Sequence, residues 1–140
     1  MDIKQNSKIY LDTSLFIYFF ENNPKYISKV ENLFEQAINK NVSLISSELL
    51  YLELLVFPYK EKNKKIENLY LNIEKYVPSL NLIPVTKKIL TTAAKIRAEY
   101  NFKSPDAIHL ATAKVEGCDQ FYGSDKKLKS FNDPKVIVID

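Results

Sequence analysis

Four acidic residues, Asp12, Glu53, Asp106 and Asp125, stand at positions from which a carboxylate can do chemistry. In "KIYLDTSLFIYFF" (8–20), Asp12 is the one acidic side chain in a run that is otherwise apolar, aromatic or hydroxylated, apart from its leading lysine. It either caps a helix or waits for a cation. In "LISSELLYLELLVFP", Ser46 or Ser47 reads as the N-cap and Glu48 as a first-turn acid favoured by the helix dipole. Glu53 has no such reason. It lies among Leu49, Leu50, Leu52, Leu54, Leu55 and Val56, in a helix whose pattern predicts burial nearly all round. A carboxylate there needs a partner, a lysine or a metal ion, because a desolvated unpaired charge costs several kcal/mol or neutralises itself.

"FKSPDAIHLATAK" reads as a helix start with Ser104 as N-cap, Pro105 at the first helical position and Asp106 beside it. An acid in a first turn is already favourable, so Asp106 alone is not diagnostic. "FYGSDKKLKSF" places Asp125 just past a strand, where a turn or cap role suffices. The joint pattern says more. Four carboxylates gathered at one place repel, and some stay protonated unless a cation joins them. Hard divalent ions with oxygen ligands, Mg²⁺ or Mn²⁺, suit such a set, whereas zinc favours His or Cys.

The elements that must gather these acids alternate along the chain. Strand candidates are Lys8–Leu11, Val42–Ile45, Leu80–Pro84, Gln120–Gly123 and Lys135–Ile139. Helical stretches lie between them, Lys25–Asn39, Asn63–Tyr76 and Thr86–Tyr100, the last with Ile89, Ala93, Ile96 and Tyr100 on one face. Such alternation predicts a parallel sheet covered on both sides, with ligands beyond the carboxyl ends of its strands. Asp12 lies at that end of the first strand.

Composition bounds the rest. A length of 140 residues fits one domain over 1–140. Two glycines exclude a GxGxxG or Walker loop, and a lone Cys118 excludes an intrachain disulfide and a multi-cysteine zinc site. The apolar runs are too short to span a bilayer and no signal-peptide pattern opens the chain, so the expectation is a soluble cytoplasmic protein with no membrane role. The net charge of +3 is carried by lysines clustered at 60–65 and 126–129, beside a single arginine, Arg97. This permits a nucleic-acid partner without establishing one. His109, the only histidine, falls one turn into the Asp106 helix as a core or rim residue, with a metal or proton-transfer role as the lesser reading.

"IYLDTSLFIYFF", "ISSELLYLELL", "SPDAIHLATA" and "FYGSDKKLKSF" together resemble, in order and spacing, the PIN domain family, and within it toxins of the VapC type. The Ser47–Glu53 interval and the run from Asp106 to Ala113 match best. The resemblance covers essentially the whole chain. It implies a three-layer α/β/α sandwich around a five-stranded parallel sheet, with Asp12, Glu53, Asp106 and Asp125 as the catalytic and metal-holding set. Ser14 and Ser124 match positions that often carry a hydroxyl near the metal; threonine or asparagine is commoner at the place of Ser124. It further implies Mg²⁺- or Mn²⁺-dependent RNA cleavage leaving a 5′-phosphate and a 3′-hydroxyl, a small antitoxin partner and a homodimer. Tyr59, Tyr70 and Tyr76 are the expected exposed aromatics for the dimer contact.

Two other enzyme classes fit worse. Haloacid-dehalogenase phosphatases need a second aspartate where Ser14 stands, and receiver domains need an acidic pair near the first strand's end. The non-enzymatic alternative is a silent PIN-like module for RNA binding or protein interaction.

Overall fold

The computed structural model describes residues 2–140. Five strands, β1 (Lys8–Leu11), β2 (Ser43–Ser47), β3 (Leu80–Ile83), β4 (Gln120–Gly123) and β5 (Lys135–Val138), form one sheet in the order β3-β2-β1-β4-β5. Every neighbouring pair is parallel, with Tyr10 of β1 level with Ile45 of β2 and Phe121 of β4. This is the α/β sandwich with a five-stranded parallel sheet that the resemblance implies. Parallel neighbours require crossovers, and helices supply them. The helices are α1 (Thr13–Phe20), α2 (Ile27–Asn39), α3 (Leu49–Glu61), α4 (Lys64–Leu71), α5 (Lys87–Tyr100) and α6 (Ser104–Val115).

The period-2 alternation of β1 assigns each side chain to one of two cores. Ile9 and Leu11 join the core covered by α1–α4, while Tyr10 faces the core covered by α5 and α6. Amphipathic spacing seats the helices. In α2, Val30, Leu33, Phe34 and Ala37 are buried at i, i+3, i+4 and i+7. In α5 the buried set is Ile89, Ala93 and Ile96; Thr86 caps its start, and Tyr100 stacks on Phe102.

The structure corrects several local expectations. The 63–76 stretch is two elements, α4 and a single 3-10 turn at Ile73–Lys75. Both serines before α3 end β2 instead of opening the helix: Ser46 donates to the Leu11 carbonyl, and Ser47 accepts from the Leu49 amide. Glu48 consequently precedes the first turn. Lys103, not Ser104, takes the N-cap position of α6, moving Ser104 and Pro105 one place into the helix. The helix α3 is not buried all round, since only its Leu50–Leu54–Pro58 face, with Leu55, packs inward and Leu52 is 66% exposed. Tyr70 is 1% exposed and donates to Glu21, so it belongs to the core and not to the expected contact surface; Tyr59 and Tyr76 are exposed.

Among the described residues, no helix is long and apolar enough to cross a membrane.

Candidate active site

The chain order sets where ligands can bind. From β1 the chain steps to β2 and β3 on one side, then α5 and α6 carry it back to β4 on the other side of β1. The reversal opens a crevice beyond the carboxyl ends of β1 and β4, where open α/β sheets bind ligands. Asp12 follows β1 and Asp125 follows β4 by two residues. The Asp12 amide donates to the Tyr122 carbonyl at 2.9 Å, tying the two strand ends together. Gly123 packs so closely that a Cβ there would lie 3.4 Å from Asp12 Oδ2 and 3.2 Å from the Phe121 ring.

Asp12 and Asp125 both serve as caps as well. Asp12 Oδ1 accepts from the Thr13 amide at 2.8 Å, and Asp125 Oδ1 accepts from the Lys127 amide at 2.9 Å. Capping and ligand roles therefore coexist in geometry. Asp106 lies in the first turn of α6 and shares with Asp125 a cleft also lined by Asn101, Lys103 and Lys127. Ser124 stands partly buried between Gly123 and Asp125.

Glu53 reaches the same edge from α3, and its partner is neither a lysine nor solvent alone. His109 Nε2 lies 2.6 Å from Glu53 Oε1 and 3.8 Å from Asp12 Oδ1. The Thr13 hydroxyl donates to the same Oε1 at 2.8 Å, and its oxygen is 3.2 Å from Nε2. On the other side of the ring, Nδ1 lies 2.6 Å from the Tyr10 hydroxyl. A carboxylate only accepts, so Nε2 carries a proton, and in the neutral ring Nδ1 accepts from Tyr10. His109 is 1% exposed and links α6 to α3 through Glu53.

The electrostatics follow this geometry. Burial pushes the Asp12 carboxyl up, and the neighbouring Glu53 and Asp125 charges add to it against the opposing pull of His109 and the Thr13 amide. Asp106 is pushed up by burial and by Asp12 and Asp125. Burial also works against the charge on Glu53, but the hydrogen bond and charge of His109 and the Thr13 hydroxyl outweigh it and hold that carboxyl below its usual range. Burial disfavours the charged ring of His109, while Glu53 and Asp12 overcome that and raise it. Asp12 and Asp106 are thus pushed up in part by their acidic neighbours, while His109 and Thr13 hold Glu53 down.

The donor set fits a hard divalent cation. Asp12, Glu53, Asp106 and Asp125 offer oxygen donors only, and Ser14, two residues after Asp12, has a buried hydroxyl without a hydrogen-bond partner. Among the described residues, no three His, Cys, Asp or Glu side chains already close to the spacing an ion would impose.

Sequence reasoning passed over Tyr10 and Thr13 and gave His109 the lesser weight. Its usable signal was the pairing of one buried histidine with one unexplained glutamate. Arg97, the lone arginine, is committed to structure: it donates to the Phe102 carbonyl at 2.8 Å and to the Ser104 hydroxyl at 3.0 Å.

Comparison with known proteins agrees with this architecture. The chain is similar to a VapBC2 structure from Rickettsia felis bound to a promoter DNA fragment, at 19% identity and a TM-score of 0.71, covering 95% of this chain and 99% of that one. It is similar to Mycobacterium tuberculosis VapC20, described as a sarcin–ricin loop cleaving toxin, at 14% identity and a TM-score of 0.70, covering 87% and 93%. A toxin–antitoxin complex from Klebsiella pneumoniae gives 22% identity and a TM-score of 0.65, covering 93% and 96%. At these identities the likeness is one of fold. No curated protein sequence matches the chain. The sequence model of the PIN domain matches residues 9–134, so the chain belongs to the PIN domain family.

Proposed function

We propose that residues 1–140 form a single PIN domain acting as a metal-dependent endoribonuclease, the toxin of a toxin–antitoxin pair. The observation that carries this reading is the arrival of Asp12, Asp106 and Asp125, with Glu53, at the crevice between β1 and β4 of a PIN fold. The solved structures it resembles support the remainder, since they include toxin–antitoxin complexes and a toxin described as cleaving the sarcin–ricin loop.

Asp12, Glu53, Asp106 and Asp125 would hold Mg²⁺ or Mn²⁺, with Ser14 and Ser124 as supporting hydroxyls. When bound, such an ion polarises a phosphodiester oxygen, lowers the pKa of water and stabilises charge on the leaving oxygen. The chain's own residues divide the remaining work. Glu53, held ionised by His109 and Thr13, is a poorer proton acceptor than Asp12 or Asp106, whose carboxyls are pushed up. Asp106, pushed up and bordering the open cleft, is placed to take the proton of an attacking water. Lys103 and Lys127 line that cleft and supply positive charge for phosphates.

The test is Mn²⁺- or Mg²⁺-dependent cleavage of single-stranded or structured RNA by wild type and by Asp12→Asn. Asn caps a helix about as well as Asp, but contributes no charge and one acceptor oxygen fewer. The expected result is lost cleavage with folding retained; wild-type cleavage by Asp12→Asn leaves Asp12 a cap only. The second reading is a silent RNA-binding or protein-interaction module. That module shows no Mn²⁺-dependent rise in melting temperature.

The toxin reading carries two protein partners, a small antitoxin and a second copy of this chain. Exposed Leu52, Val56, Phe57 and Tyr59 of α3, together with Tyr76, offer apolar surface for such contacts. Light scattering of the chain alone, and mixed with the product of a neighbouring reading frame, reads both associations. A monomeric mass throughout removes them.

A further inference from the structure

We infer that His109 is a positioning residue for Glu53: with Thr13 it occupies one carboxylate oxygen and so presents the other to the cation. The inference rests on the acidic set being a metal site, as proposed above. Three observations carry it.

First, both donors converge on the same atom. His109 Nε2 lies at 2.6 Å and the Thr13 hydroxyl at 2.8 Å from Oε1, so Oε2 is engaged by neither. Second, the ring cannot swing away. Its Nδ1 is held 2.6 Å from the Tyr10 hydroxyl, and it meets the Tyr10 ring edge-on at 5.7 Å. Tyr10 is itself fully buried in β1 and stacked on Phe121 at 5.1 Å. Third, Glu53 needs the restraint. It springs from the partly exposed side of α3, with its own side chain 30% exposed and Leu52 and Val56 beside it in solvent. A glutamate there would otherwise sample several rotamers and lose that freedom only on binding.

A ligating carboxylate held in this way is set before the ion arrives, and partners of this kind are worth about 10–100-fold in metal affinity. Tyr10 and Phe121 then belong to the same device, because they fix the ring that fixes the acid. The strand β1 leads into the Asp12 ligand and, two residues earlier, supplies the anchor for the His109 ring that holds Glu53.

The experiment titrates MnCl₂ into the RNA-free protein, reading the melting temperature and the calorimetric affinity, alongside unfolding in EDTA. His109→Leu removes the donor and is expected to weaken Mn²⁺ binding by about 10–100-fold. His109→Gln keeps an N–H able to reach Oε1 and recovers most of that loss. Thr13→Val and Tyr10→Phe, which leave the histidine in place, give smaller losses in the same direction and carry the test if His109→Leu does not fold. A residue with a structural role alone lowers stability in EDTA while leaving Mn²⁺ affinity at the wild-type value, and that outcome overturns the inference. Absence of any Mn²⁺ response in the wild type overturns the metal site itself, and the positioning role with it.

Discussion

Glu53 and Asp12 are both acids of the same cluster, yet their removal has opposite effects on the metal-free protein. Glu53 Oε1 accepts from buried His109 and from Thr13, and these donors hold the carboxyl ionised. Glu53→Gln exchanges that anion for a weaker acceptor and leaves a buried histidine poorly paired. In EDTA it is expected to destabilise the fold by about 1–3 kcal/mol, read by urea unfolding. Relief of repulsion alone would instead raise stability, and the His109 contact decides against that. Asp12 is the reverse case: burial, then Glu53 and Asp125, push its carboxyl up, so its charge opposes folding. Asp12→Asn keeps the cap and removes the charge, and its stability in EDTA is expected to match or exceed the wild type.

Among the elements, the turn from α5 into α6 is where, on the ribonuclease reading, a chain with one arginine would grip a polyanion. Arg97 clamps that turn through the Phe102 carbonyl and the Ser104 hydroxyl. The turn then delivers Lys103 to the cleft beside Asp106, and the 3-10 turn Lys126–Ser130 delivers Lys127 beside Asp125. Each lysine is exposed and free to follow a phosphate. On the ribonuclease reading, Lys103→Ala and Lys127→Ala each weaken RNA binding without regard to sequence. Each is expected to reduce the slope of log affinity against log salt by about 0.7–1. Filter binding across a salt series, with Asp12→Asn in both backgrounds to prevent cleavage, measures it; unchanged slopes exclude the cleft as the RNA track.

For the whole molecule, the partly buried acids and the buried histidine make metal-free stability depend on pH. Asp12, Asp106 and His109 are all raised in the folded state, so each favours folding when protonated. That contribution is fully present below the unfolded values, 3.8 for the aspartates and 6.5 for the histidine, and is lost as pH rises through the folded ones. Glu53 has the opposite sign. Its contribution is present above 4.5 and is lost only on acidification below that value. In EDTA the melting temperature is therefore expected to be higher at about pH 6 than at about pH 8. Saturating Mn²⁺ reverses the trend, because ligands must be deprotonated to bind it. The same slope with and without Mn²⁺ counts against the acids as ligands.

Local pattern was enough to read the strands, the helical stretch that holds α2, the amphipathic face of α5, and the place of Asp12 at the end of β1. Each of these follows from side-chain periodicity or capping chemistry within a few residues, so a single stretch of sequence determines it. Recognising the acids as one set required the ordered motifs, and the parallel sheet then brought them to one edge. Only the tertiary structure decided the rest. Glu53 and His109 are 56 positions apart on helices in different layers, and no local signal tells a glutamate which buried donor will reach it. The same limit applies to α3 and Tyr70: leucine-rich spacing shows that a helix can be buried, but the packing of α1 and α4 determines which face is. Burial and long-range pairing belong to the assembled layers, and there the histidine became the partner of the one acid that local structure left unexplained.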